Sequence, residues 1–110
     1  MVLWYYHRMG PTATYRRFNK LIWNNRLPKA VVTFVEDDVM PRCFGLTLFD
    51  DDFARPIIYL AAGNKRWPKT LLHEMIHVAE PSLPHGKIFN TLVESYWRYT
   101  KNSKKGYRTL

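Results

Sequence analysis

A chain of 110 residues with 46% apolar and 15% aromatic content is globular in composition, with room for one core and little for a second. Seventeen basic against nine acidic residues give a net charge of +8, and the single cysteine, Cys43, excludes an internal disulfide framework and a Cys-rich zinc ribbon. MVLWYYHRMG lacks an apolar signal-peptide core and no apolar run nears the ~20 residues of a membrane span, so a soluble, cytoplasmic domain in a reducing compartment is expected.

The predicted elements begin with a helix over about Thr14 to Asn25. Thr12 or Thr14 is placed to cap it, and Tyr15, Phe18, Leu21 and Ile22 form its apolar stripe. Leu27-Pro28 ends it. Residues 30–35 (AVVTFV), 43–49 (CFGLTLF) and 56–62 (PIIYLAA) read as strands, rich in β-branched and aromatic side chains. Short turn-rich segments separate them, which predicts an antiparallel meander. The acidic runs Glu36-Asp37-Asp38 and Asp50-Asp51-Asp52 lack the alternation of a calcium loop and read as solvated turns.

A second helix is predicted from Pro68, which suits a first turn, to Glu80, where Pro81 stops it. Leu72, Ile76 and Ala79 form its expected core stripe. A third helix starts near His85-Gly86, with Ile88, Phe89, Leu92, Val93 and Tyr96 on its core side, and fades into a basic tail over about 100–110. The expectation is one α+β domain over 1–110. It has an N-terminal helix, a three-stranded, mainly antiparallel sheet, a second helix and a C-terminal helix.

The second helix carries His73-Glu74-Met75-Ile76-His77, an HExxH pattern. At about 100° per residue, His73 and His77 point the same way one turn apart and can share one metal ion. In a chain with this His and Glu content chance supplies about 0.005 such matches. His85 is the preferred third ligand, because Pro81 and Pro84 turn the chain back and Gly86 permits close backbone approach. Glu80 is the alternative, or an acceptor that orients a ligand histidine. His7 reads as a surface residue. One Zn2+ held by three imidazoles with an open position, and Glu74 as general base beside it, would be a hydrolytic centre.

Cations concentrate at the two ends. Residues 1–29 hold six and residues 95–110 hold five, with no acid in either segment. Arg16, Arg17, Arg98, Lys101, Lys104 and Lys105 are candidate nucleic-acid contacts, interleaved with aromatics such as Tyr15, Phe18, Trp97, Tyr99 and Tyr107. For Phe18 and Tyr96 a place in the core is the better reading. Lys65-Arg66-Trp67 stands just before the metal helix, with Trp67 expected to pack over the helix start.

The ordered set resembles the SprT-like domain family, which includes the Spartan proteases. The set is Phe18-Asn19, Asn25-Arg26-Leu27-Pro28, the Val31–Val35 strand, Gly45, Ile57–Leu60, Thr70 to His77, and His85-Gly86 followed by Phe89. It covers roughly residues 14–95. The resemblance implies a minimal zincin-like fold with an HExxH metal-binding helix and a zinc metallopeptidase hydrolysing peptide bonds, with His73, His77 and His85 as ligands and Glu74 as catalytic base. It also implies a protein substrate associated with DNA, and single-stranded or damaged DNA as a partner. The chain departs from many members in its short His77–His85 segment and its lack of a zinc ribbon, a compact form that would suit a phage or viral genome. The competing reading is a non-catalytic, metal-stabilised nucleic-acid-binding or virion-associated structural protein.

Overall fold

The computed structural model describes residues 2–39, 43–50 and 55–109, with side chains described over 5–39, 43–49 and 55–102. Residues 51 and 52 of the acidic run, and the side chains of Asp50, Lys104, Lys105, Tyr107 and Arg108, lie outside the described residues. The order is α1 (Val2–Met9), α2 (Pro11–Trp23), β1 (Val31–Val35), a 3-10 turn (Asp37–Val39), β2 (Gly45–Asp50), β3 (Arg55–Ala61), α3 (Trp67–Ala79) and α4 (Lys87–Thr109). This is an α+β fold with a three-stranded mixed sheet.

The sheet corrects the predicted meander. Its strand order is β1-β3-β2, with β1 parallel and β2 antiparallel to β3. The connection after β1 makes a 3-10 turn instead of a hairpin and delivers the chain to the far side of β3. β3 takes the centre because its apolar run is nearly continuous. Pro56, Ile58 and Leu60 are buried, and Ile57 and Tyr59 are half-buried. Gly63 fixes the exit from β3. A Cβ there would collide with Asp37 Oδ2, and the Gly63 N–H donates to Asp37 Oδ1 at 2.8 Å.

α1 was not expected. Eight residues are too few for a stable isolated helix, so packing must hold it. Tyr6 is fully buried against Phe18 of α2 and Trp97 of α4, with ring centroids 5.1 and 6.1 Å away. Gly10 (φ 90) then breaks the chain, and Pro11 opens α2 three residues before the predicted start. Neither threonine caps α2: Gly10 is the N-cap, and the Thr14 hydroxyl donates to the Gly10 carbonyl at 2.6 Å.

Asn19 and Leu27 explain why these two segments travel together. The Asn19 amide donates to the Leu27 carbonyl at 3.1 Å and accepts the Leu27 N–H at 3.0 Å, imitating a pair of backbone bonds. Asn24 and Asn25 adopt left-handed φ to make the turn. Tyr15 donates to the Pro28 carbonyl at 2.5 Å, and burial pushes its pKa up to about 12.

α2 and α3 cover one sheet face, and α4 packs on both helices. α3 is buried on two sides. Leu71, Leu72, Met75 and Val78 join Val32, Ile58 and Leu60 in the main core. Ile76, expected to face the sheet with Leu72, turns instead to Phe89 and Val93 of α4. The α4 stripe is Phe89, Val93, Trp97 and Thr100 at helical spacing, which leaves Ile88 exposed, contrary to expectation. α4 also continues to Thr109, through the segment expected as a tail. Among the described residues, no helix is long and apolar enough to cross a membrane.

Candidate metal centre

α3 begins where Asn64 gathers the chain. Its side-chain carbonyl accepts the Arg66 N–H at 3.0 Å, and its amide donates to the Thr70 hydroxyl at 2.8 Å. Trp67 is buried at the first turn, edge-on to Phe34 with centroids 5.5 Å apart. The exposed His7 donates from Nε2 to the Lys65 carbonyl at 2.7 Å, so α1 braces this turn. One turn farther along, His73 and His77 share a face, with ring centroids 5.0 Å apart.

After α3 the chain turns through Pro81–Pro84 and brings His85 back over the helix. Nε2 of His85 lies 2.9 Å from Nε2 of His77. One ligand atom from each of His73, His77 and His85 lies within 4.8 Å of the others. Ligand nitrogens at about 2.0–2.1 Å from a tetrahedral ion stand roughly 3.4 Å apart, so small side-chain adjustments complete the set. Burial and the two neighbouring imidazoles lower the His73 pKa to about 4, and burial with His85 lowers that of His77. Both rings are therefore neutral near pH 7, the form that ligates. Donor chemistry and spacing fit one divalent ion.

Phe89 is the floor of this cluster. Its ring centroid lies 4.6 Å from His73, 4.6 Å from His77 and 5.0 Å from His85. The residue is fully buried and ties the three rings to the α4 core. Gly86 serves the turn into α4, with φ 158 and its carbonyl accepting the Asn90 N–H at 2.9 Å. A Cβ there would meet nothing within 4 Å, so the expected close approach does not occur at Gly86. Glu80 is exposed at the end of α3 and is not among the converging ligand groups.

The close approach occurs at Gly45 on β2. A Cβ there would stand 2.8 Å from Thr70 Cγ2 and 3.1 Å from Glu74 Cγ. Two residues on, the Thr47 hydroxyl donates to Glu74 Oε1 at 2.7 Å. Oε2 of the same carboxylate is 3.8 Å from His73 Nε2. Glu74 is only 5% exposed, and burial raises its pKa, opposed by the Thr47 hydroxyl and His85. Thr47 is thus a site residue that sequence reasoning missed. The signal was strand alternation, which puts Gly45 and Thr47 on the same face.

A cleft of about 690 Å³ runs between α3 and β2, with the three histidines and Glu74 in its wall. β2 is an edge strand, so its outer backbone groups border this cleft.

The basic candidates separate. Arg16 and Arg98 are exposed, Arg17 is half-buried, and half-buried Lys101 sits with Nζ 6.0 Å from the Trp97 ring centroid. Trp23 of α2 packs on Tyr96 of α4 with centroids 5.5 Å apart, which makes the two basic helices neighbours. The interleaved aromatics are mostly internal. Tyr15, Phe18 and Trp97 are buried, and Tyr99 is exposed.

Comparison with family models, with curated proteins and with solved structures found no match to this chain.

Proposed function

We propose that the protein is a zinc-dependent peptidase of SprT-like type. One observation carries this reading: three imidazoles converge beside a buried carboxylate whose second oxygen is left facing them, all in one cleft. The resemblance in motif order supports it, and so does the physical role of several motif residues, such as Asn19 bound to Leu27 and Phe89 beneath the histidines.

His73, His77 and His85 would hold the ion, which would polarise a scissile carbonyl and acidify a water molecule. Thr47 fixes Oε1 of Glu74, so Oε2 is free to accept a proton from the attacking water. The raised basicity of a buried carboxylate suits that step. The same oxygen then returns the proton to the departing amine. The free edge of β2 offers backbone donors and acceptors on which an extended peptide can align beside the metal centre.

The substrate we propose is a DNA-associated protein, with exposed cations on α2 and α4 contacting single-stranded or damaged DNA. The lone, exposed Cys43 accords with a reducing, cytoplasmic compartment. The test is cleavage of casein and of a DNA-bound protein by the zinc-loaded chain and by Glu74→Gln. Cleavage lost in Glu74→Gln at equal zinc content is the expected result. A metal-loaded protein that cleaves neither, and behaves as Glu74→Gln does, would instead favour a structural, non-catalytic role.

A further inference from the structure

The cleft extends past the metal centre toward the start of α3, and cations line it there. Lys69 shares the helix face of His73 and His77 at intervals of four residues, Arg66 is the N-cap three residues before it, and both border the cleft. At a rise of 1.5 Å per residue they stand roughly 10 and 6 Å before His73 along the axis. Glu94 of α4 pairs with Lys69, Nζ to Oε1 at 2.5 Å. The hydrogen bond from Lys69, with smaller contributions from the charges of Lys69, Arg98 and Arg66, holds the Glu94 carboxyl below its ordinary range. Glu94 thus offsets one of the two cations that line this end of the cleft, and Arg66 keeps it positive.

Strand direction says which part of a peptide would meet that charge. Gly45 lies against Thr70 and Glu74, and Thr47 against Glu74, so β2 and α3 advance in the same sense. A peptide paired antiparallel to β2 would run with its C-terminal side toward Arg66 and Lys69. At about 3.4 Å per extended residue, it reaches them two to three residues beyond the bond at the metal centre.

We infer that Arg66 and Lys69 form a subsite for a carboxylate on the C-terminal side of the scissile bond. The inference rests on the peptidase reading for taking the ligand to be a peptide. The carboxylate comes from an acidic side chain or from the chain end. The cations share the cleft with the metal ligands, so the anion belongs to the molecule held at the metal, which favours a peptide carboxylate over a nucleic-acid phosphate bound elsewhere.

The test is binding, without turnover, to zinc-loaded Glu74→Gln. Four labelled decapeptides carry Glu-Glu or Gln-Gln in their C-terminal half, each as free acid or amide, and affinity is read by fluorescence anisotropy. The Glu-Glu amide should bind about fivefold tighter than the Gln-Gln amide. That preference should vanish when Arg66→Gln and Lys69→Gln are added, and should grow when Glu94→Gln removes the competing carboxylate. A preference only for free acid over amide, lost in the same variants, assigns the subsite to the chain end. Equal affinities throughout, a preference that survives the double variant, or no binding of any peptide overturns the inference. So does discrimination only by a single-stranded oligonucleotide, which would make the site a phosphate site. A wild-type protein that cleaves nothing defeats the peptidase reading separately, because these affinities do not depend on turnover.

Discussion

Glu74 shows how one side chain is prepared for a proton-transfer role. Burial raises its basicity, and Thr47 holds one oxygen so that the other faces the histidines. Thr47→Ala should therefore lower kcat about tenfold, with zinc content unchanged and KM little affected, as read by steady-state cleavage. Thr47→Ser, which keeps the hydroxyl, should restore most of it. Gly45 is a steric requirement of the same site. Gly45→Ala forces a methyl group against Thr70 and Glu74 and should cost about 1–3 kcal/mol in denaturant unfolding. The metal-free centre is also a pH-sensitive feature. His73 titrates near 6.5 when unfolded and at about 4 when folded, so the unfolded chain binds more protons between those values. Stability present in full above pH 6.5 is lost as pH falls toward 4, and His77 acts in the same direction. Glu74, whose pKa is raised, acts with the opposite sign. The difference in Tm between the metal-free protein and metal-free His73→Asn should therefore shift against the parent on acidification from pH 7 to 5. A constant difference contradicts the assignment.

At the scale of elements, α4 links the metal centre to the core through Phe89. Phe89→Ala should cost about 3–5 kcal/mol and loosen all three imidazoles, so zinc affinity should fall along with stability. Phe89→Leu, which keeps an apolar side chain of reduced volume but not the ring, separates the two effects by competition with a chelator. The HExxH helix was legible because its apolar period, its flanking prolines and its motif all agree over Trp67–Ala79. His85 was legible from the proline-bracketed turn. Sheet order was not, because strand propensity says where strands lie and not how they pair. The continuous apolar run of β3 was the available clue to its central place. Alternation places Thr47 on the face of Gly45, but that this face meets Glu74 depends on how β2 lies against α3, a tertiary relation. α1 was missed for a related reason, since its stability comes from Tyr6 meeting Phe18 and Trp97, far away in the chain.

Across the whole molecule the charge divides by place and by role. The exposed cations of α2 and α4 lie on helices that pack side by side, whereas Arg66 and Lys69 stand inside the cleft. Replacing Arg16 and Arg98 together should weaken single-stranded DNA binding and flatten its dependence on log salt by about 0.7 for each phosphate no longer neutralised, leaving casein cleavage without DNA unchanged. An unchanged slope would remove these two positions from the proposed interface. The measurement that bears most directly on the central proposal joins metal content to turnover. Elemental analysis of the purified chain and of Glu74→Gln should give one zinc per chain in both, with casein cleaved by the parent and not by the variant. Equal cleavage by the two proteins, or no cleavage by a fully zinc-loaded parent, would contradict it.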